Sequence, residues 1–349
     1  MMSTRFDDLR EIVRRCMGCE PLSRADADVL VSLAAADPWE LLHAAWRVRK
    51  HFFARAVRMC SIVPGKLGGC AEDCAWCAQS ARQGGSHSRS MQRTATDAIV
   101  SAAVTAARQG AYSLGIVNSG RGPTEGDLDA FLAAKAAIDD DCDVAICASL
   151  GEIDRQQAAR LAAAGVSRYH HNVETSRRMF GRLVTTHSYD DRLATLRTAR
   201  EAGMAICCGG LFGLGETWDD RIELAMTIRD EVGADSVPLN FLNPVPGTPL
   251  ADAQRLSPME CLCIVAVFRL ILPTADIKVA GGREVNLRDM QSWIFYAGAT
   301  SCMTGDYLTT TGRATQQDHQ MIADLGLELV TKLPGSLSEL GRGTRSSDE

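Results

Sequence analysis

From Val57 to Thr304 the chain alternates eight times between a short apolar or β-prone run and a longer amphipathic segment. The short runs fall near 57–63, 111–117, 143–149, 166–173, 204–210, 235–241, 276–281 and 299–304. Brief apolar runs separated by stretches of helical length are the pattern of repeated βα units around a parallel sheet. Eight such units in ~250 residues match the size of a (β/α)8 barrel. A doubly wound sheet would place a G-x-G-x-x-G turn after its first strand, and a cysteine-rich loop stands there instead. The fold predicted is therefore α/β, a TIM-type barrel over residues 51–315. Helical periodicity in DDLREIVRRC, ADADVLVSLAA and WELLHAAWRVRKHFF predicts an N-terminal helical extension over 1–50. Residues 316–349 read as a C-terminal segment, polar and ending in the disordered tail GRGTRSSDE.

The loop after the first strand, GGCAEDCAWCAQS, holds Cys70, Cys74 and Cys77 as CxxxCxxC. A structural zinc site calls for four closed ligands. Three thiolates instead suit a [4Fe-4S] cluster whose fourth iron is left for a small molecule such as S-adenosylmethionine (SAM), which then receives an electron directly. Catalytic groups of a barrel gather at the C-terminal ends of its strands, and this loop is at one. The fourth strand ends in YHHNVETS, where the two-residue period puts His170, Asn172 and Glu174 on one face and His171 on the other. That face suits ribose hydroxyls or a urea-like group, although polar strand ends in water have the same spacing. Asn240 in SVPLNFLNPVPGTPL and the turn GGREVN occupy equivalent positions on later strands, and GLFGLGE is a turn before a helix.

Cys60, Cys147 and the pair Cys207–Cys208 fall on three further strand candidates. Thiols converging from three strands suggest a second metal site; buried cysteine used as a small hydrophobe fits the spacing equally well. Adjacent Cys207 and Cys208 must face opposite sides, so one alone points inward. Cys16, Cys19, Cys142, Cys261, Cys263 and Cys302 read as structural. Thirteen cysteines in 349 residues do not resemble a small disulfide scaffold and point to a reducing compartment. A net charge of −6 without a long basic run gives no footprint for nucleic acid or an anionic membrane. No apolar run approaches the ~18 residues of a membrane span, and the charged N-terminus lacks a signal-peptide core. A soluble, cytoplasmic protein is predicted.

The runs GGCAEDCAWCAQS, IVNSGRGP, YHHNVETS, TTHSYDDRL, CGGLFGLGET, SVPLNFLNPVPGTPL, AGGREVNL and GDYLTTTG, in this order and spacing, resemble the biotin synthase family of radical SAM enzymes from about residue 40 to about 325. The resemblance implies sulfur insertion into dethiobiotin, with a [4Fe-4S] cluster on Cys70, Cys74 and Cys77 and SAM chelating its open iron. It implies SAM contacts from Asn172, Glu174 and Arg192, with Asn172, Asn240, Thr310 and Thr311 holding substrate. It also implies a homodimer, a flavodoxin- or ferredoxin-type reductant and dependence on iron–sulfur assembly machinery. A second, auxiliary cluster deep in the barrel is the implied sulfur source, a [2Fe-2S] cluster held in that family by three cysteines and one arginine. Cys147 and Cys207 match two of those ligands, but Gly115 stands at the third cysteine position and Lys278 at the arginine. Lysine is a compact ammonium and no replacement for a guanidinium ligand. Cys60 offers a third thiol, so an auxiliary cluster of altered ligation is predicted on Cys60, Cys147 and Cys207 beside Lys278. The alternatives are a paralogue with another substrate, such as one performing a methylornithine-synthase-like rearrangement, and a non-enzymatic iron–sulfur carrier.

Overall fold

The computed structural model describes residues 2–84, 90–308, 310 and 312–331. Eight strands, β1 (Ala56–Leu67), β2 (Ser113–Asn118), β3 (Ala145–Ser149), β4 (Arg168–His170), β5 (Ala205–Cys207), β6 (Ser236–Phe241), β7 (Asp276–Val279) and β8 (Ser301–Met303), pair in parallel in chain order. β8 returns to β1, with Arg58 opposite Ser301 and Cys60 opposite Met303, so the sheet closes into a barrel. Each strand overlaps the range read from the sequence; six lie inside it, while β1 runs four residues longer at its C-terminal end and β2 one. Two short strands add to the rim: Gln92–Arg93 runs antiparallel to the end of β1, and Gly210–Phe212 pairs with the end of β6.

The helices of seven or more residues between strands are α4 (Thr96–Arg108), α5 (Glu125–Asp141), α6 (Arg155–Ala163), α7 (Arg177–Leu183), α8 (Tyr189–Glu201), α9 (Trp218–Thr227) and α10 (Pro258–Ile271). Their starts are written in the sequence: Thr124, Asp154, Ser188 and Thr217 each open a helix with a reciprocal capping box, satisfying backbone donors that the first turn leaves unpaired. α10 differs from the others because Cys261 to Ile271 is buried without interruption. It lies between the barrel and the N-terminal extension α1 (Met2–Met17), α2 (Arg24–Ala36) and α3 (Pro38–Phe53), so it has no solvent face to make polar. Two fully buried arginines join these layers through carbonyl oxygens. Arg49 donates to Ala299, Ala54 and Ala56, and Arg269 to Gly298, Leu272, Pro273 and Ala275.

The C-terminal segment is more structured than its polar composition predicts. Thr315–Asp324 forms a helix, α11, and Glu328–Leu329 pairs with the start of β1. A local reading missed the cause, which is tertiary. Arg283 grips both carboxylate oxygens of Asp318 at 2.9 Å with both side chains fully buried, and Met321 and Ile322 enter the core. The tail GRGTRSSDE and Thr311 lie outside the described residues.

Candidate active site within the barrel

Inward-facing positions climb each strand in two-residue steps, and the chemistry changes with height. On β4 the order is Arg168, His170 and, just beyond the strand, Asn172 and Glu174; on β1 it is Arg58, Cys60 and Ile62; on β7, Asp276, Lys278 and Ala280. A cavity of about 460 Å³ follows this axis and is lined by Cys60, Cys147, His170, Cys207 and Lys278 as well as by Asn172, Glu174, Asn240 and Thr310. The sequence-predicted thiols and the polar strand ends therefore share one chamber. Gly115 lines it too, opposite Ile62 on β1 and Cys147 on β3. His171 faces away, as the strand period requires; burial holds its imidazole well below the usual range, and its Nε2 has no partner among the described residues.

The deep thiols sit among cations. His170 Nδ1 is 3.2 Å from Cys207 Sγ, and the Ser113 hydroxyl donates to Cys60 Sγ at 3.1 Å. Burial alone would raise Cys207, but His170, Lys278 and Arg168 bring its thiol below the usual range, toward thiolate. Burial raises Cys147, and the neighbouring Cys207 adds to the shift. Burial would also deprotonate Lys278, yet Cys60, Cys207 and Asp276 hold it as the ammonium. Lys278 is thus a charge partner of the sulfurs, and an ammonium has no lone pair with which to ligate iron. Arg168 is raised in the same way by Cys207 and Cys147 against its own burial. Beneath them Asp276 accepts from Thr300 at 2.8 Å and from Ser301, and Arg58, Lys278 and Arg168 keep it ionised despite complete burial.

At the upper rim the cysteine loop folds on itself: Cys70 N–H donates to Gln79, Ala81 N–H to Cys70 and Cys77 N–H to Cys74. Burial pushes Cys74 up to about 12 and raises Cys77, so metal binding here releases protons. Cys74 and Cys77 each interact electrostatically with Cys70 and Glu174. Among the described residues no three His, Cys, Asp or Glu side chains converge tightly enough to hold one metal ion. A [4Fe-4S] cluster asks for less convergence, since each thiolate binds a different iron, and the donor set of Cys70, Cys74 and Cys77 is of the type such a cluster takes; Cys60, Cys147 and Cys207 line one cavity with cations beside them.

Glu174 adopts a left-handed backbone (φ 69°), a conformation that costs about 1 kcal/mol or more in a non-glycine residue. The bend is held by two backbone bonds, Glu174 N–H to Gly209 and Leu211 N–H to Glu174. Glycines at 209 and 210 permit this approach: a Cβ on Gly209 would sit 1.9 Å from the Pro238 oxygen, and one on Gly210 would sit 2.7 Å from the Glu174 oxygen. Asn172 Oδ1 accepts from Gly209 N–H at 3.0 Å, while its Nδ2 reaches Glu174 at 3.4 Å. Burial raises the Glu174 carboxyl, opposed by Arg192 at 3.8 Å. Asn240 spends one amide hydrogen on Gly210 O at 3.1 Å and accepts from Gly281 N–H at 2.9 Å, which leaves one N–H and one lone pair for a ligand.

Arg192 does not line the cavity. It stands behind Asn172, donating to that carbonyl at 2.7 Å and to His187 Nε2 from Nε (3.1 Å) and Nη2 (2.9 Å). Guanidinium can only donate, so His187 Nε2 must be bare and Nδ1 must carry the proton. The acceptor for that proton is Glu72 Oε2 at 2.6 Å, which also takes the Thr186 hydroxyl at 2.6 Å. The cysteine loop, through Glu72, is in this way coupled to Asn172 and Glu174. The sequence pattern did not single out Glu72, His187 or Arg168. Arg168 was within reach, two residues before His170 on the same face; the Glu72–His187 contact spans 115 residues and leaves no local trace.

Residues 66–228 match the Radical SAM superfamily, and residues 238–328 match the Biotin and Thiamin Synthesis associated domain. The biotin synthase of Geobacter metallireducens is 48% identical over 320 residues, 91% of this chain and 97% of its own length. That of Heliobacterium modesticaldum is 47% identical over 312 residues, covering 88% and 94%. Among solved structures, methylornithine synthase superposes with a TM-score of 0.79 at 20% identity, over 91% of this chain and 97% of its own. The FeFe-hydrogenase maturase HydG from Carboxydothermus hydrogenoformans gives 0.77 at 18% identity, over 94% and 80%. At such identities these two likenesses show the fold alone.

Proposed function

The chain belongs to the biotin synthase family of radical SAM enzymes, and we propose that the barrel cavity is where its SAM, dethiobiotin and sulfur source meet. Sulfur insertion into dethiobiotin, giving biotin, is the activity of the family to which 48% identity over 91% of the chain assigns it. The observation that carries the assignment of residues is the single chamber joining Asn172 and Glu174 to Cys60, Cys147 and Cys207. When bound, a [4Fe-4S] cluster supplies the electron that cleaves SAM, and an auxiliary iron–sulfur cluster supplies the sulfur.

Cys70, Cys74 and Cys77 hold the first cluster. Asn172 and Glu174 meet the SAM ribose and substrate, with Arg192 acting from behind through the Asn172 carbonyl. Asn240 offers its remaining N–H and lone pair to dethiobiotin, and Thr310, at the cavity wall, is a further contact; Thr311, from the same run, lies outside the described residues. Cys60, Cys147 and Cys207 hold the auxiliary cluster, while Lys278 and Arg168 balance its negative charge. The polar and apolar walls orient one C–H bond toward SAM and keep other reactive groups away, which is the contribution a radical reaction needs from protein.

A reducing cytoplasmic setting is supported by thirteen free cysteines without a disulfide, and no described helix is long and apolar enough to cross a membrane. A flavodoxin- or ferredoxin-type reductant, iron–sulfur assembly machinery and a homodimer complete the reading. The test is anaerobic reconstitution with dethiobiotin, SAM and a strong reductant, followed by mass spectrometry. Biotin together with 5′-deoxyadenosine is the expected result; 5′-deoxyadenosine without biotin or a thiolated intermediate would mean another substrate.

A further inference from the structure

A sulfur donor used up in each reaction must be refilled, and the structure holds a second cavity on the opposite face of the barrel floor. This lower pocket, of about 680 Å³, opens at the α1–α2 turn, around Cys19 to Pro21, and beside the Pro273–Ala275 turn. Its inner wall includes Arg58 and Arg168. Arg168 lines the upper cavity as well, so its side chain stands in the layer between the lower pocket and the chamber of Cys60, Cys147 and Cys207.

The charges of the lower pocket do not cancel. Its three carboxylates are already engaged: Glu20 pairs with Arg14 and Arg15, Asp230 with Arg229, and Asp235 accepts the Ile206 N–H. The buried cations keep donors without acceptors. Arg58 is 2% exposed, its guanidinium lies 4.8 Å over the Tyr112 ring, and neither Nη finds a hydrogen-bond partner among the described residues. The Nε of Arg168, itself 9% exposed, also has none. Asp276 lies near enough to feel both charges, but its carboxylate accepts its hydrogen bonds from the Thr300, Ser301 and Ser236 hydroxyls. A desolvated guanidinium without an acceptor is costly, and a small anion between Arg58 and Arg168 would satisfy both.

We propose that this lower pocket is an anion-binding port that admits hydrosulfide to the auxiliary cluster site from the face opposite to substrate entry. The proposal rests on the reading of Cys60, Cys147 and Cys207 as that site. Hydrosulfide is a small anion, makes up a substantial share of dissolved sulfide at neutral pH, and is already at the oxidation level of a bridging sulfide. The proposed step is binding and passage past the Arg168 side chain, with no bond made or broken and no electron required.

Bromide serves as the direct probe. Anomalous diffraction from bromide-soaked crystals of the full chain should show a peak against Arg58 and Arg168 that hydrosulfide displaces. The peak should vanish in Arg58→Gln and persist in Arg58→Lys, which retains the charge; the lysine variant also tests the site should the glutamine variant fail to fold. No peak in the wild type, or one indifferent to hydrosulfide, overturns the port. The functional measurement is iron and sulfide uptake during reconstitution of apoprotein with ferric iron and sulfide. Arg58→Gln should fill the auxiliary site at least about fivefold more slowly while the Cys70–Cys77 cluster fills at the wild-type rate. Equal filling overturns the port while leaving the proposed function intact. A wild type that binds bromide against Arg58 yet never takes up iron beyond one cluster would instead overturn the reading of the auxiliary site.

Discussion

Replacing His187 by leucine tests the coupling between the cysteine loop and the SAM-side residues. The substitution removes the acceptor for two Arg192 donors, at 3.1 and 2.9 Å, and the donor to Glu72 at 2.6 Å. The two Arg192 bonds share one lone pair, so they count as one charge-assisted hydrogen bond, a contribution of ~1.5–3 kcal/mol. Arg192 keeps its bond to the Asn172 carbonyl at 2.7 Å and its position over Phe180 at 5.1 Å, which argues for the lower end of that range. A loss of ~1.4 kcal/mol corresponds to about a tenfold weakening of SAM binding. Equilibrium dialysis of SAM against the anaerobically reconstituted protein measures it, with the urea midpoint as a check on folding. Because the residue acts on position rather than on the reaction, 5′-deoxyadenosine formation at saturating SAM should change by less than about twofold, a split between binding and turnover. His187→Gln, whose amide oxygen can accept from Arg192, should recover most of the affinity. Wild-type SAM affinity in a stably folded leucine variant would refute the coupling. The pH dependence follows the same logic. Burial and the adjacent Arg192 hold His187 below its ordinary 6.5, so the ring is neutral at pH 7 and protonates only in more acidic solution. Protonation removes the lone pair that Arg192 needs, so SAM affinity should stay level from pH 8 to 6.5 and fall below that range. Tighter binding on acidification would contradict the assigned tautomer.

Cys60→Ala should abolish most of the iron in excess of one four-iron cluster while leaving that cluster, held by Cys70, Cys74 and Cys77, in place; iron analysis with Mössbauer spectroscopy reads both. Asp127→Ala strands Lys66, 2.8 Å away, and Arg93. It should cost about 3 kcal/mol in urea denaturation, the low end for a broken buried pair, because the Arg93 side chain is half-exposed. Although burial alone would raise it, hydrogen bonds from Lys66 and Thr124 hold the Asp127 carboxyl at about 2 against an ordinary 3.8. Its contribution is therefore fully present above pH 4 and lost as pH falls through 2; an Asp127→Asn protein should lack that part of the acid dependence. Gly209→Ala, which places a methyl 1.9 Å from the Pro238 oxygen, should separate β5 from β6 and lower thermal stability by several degrees or prevent folding.

The eight strands were legible because a barrel repeats one pattern, and each repetition checks the others. The cysteine loop was legible because its ligands are local in sequence. Cys60, Cys147 and Cys207 could be proposed as convergent from strand membership alone, since closure sends every second residue inward; that His170, Lys278 and Arg168 surround them was not legible from spacing. What escaped was tertiary. Nothing local in TQQDHQMIAD predicts the buried Arg283–Asp318 pair that holds α11, and nothing in CAEDC announces that Glu72 will meet His187. The resemblance implies that Arg192 helps hold SAM; its place behind the Asn172 carbonyl, to which it donates at 2.7 Å, has no local trace in the sequence.

The two sets of thiols also differ in when they come into being. Cys70, Cys74 and Cys77 leave the ribosome within eight residues of one another and belong to a single loop. The inner thiols and Lys278 run from residue 60 on β1 to residue 278 on β7, and the wall around them is complete only when β8 closes onto β1 at Ser301–Met303. Contacts so distant in sequence form late. Assembly of this chain is therefore ordered by its topology: the rim cysteines share a loop long before the inner chamber exists, and whatever occupies that chamber must enter an almost finished barrel.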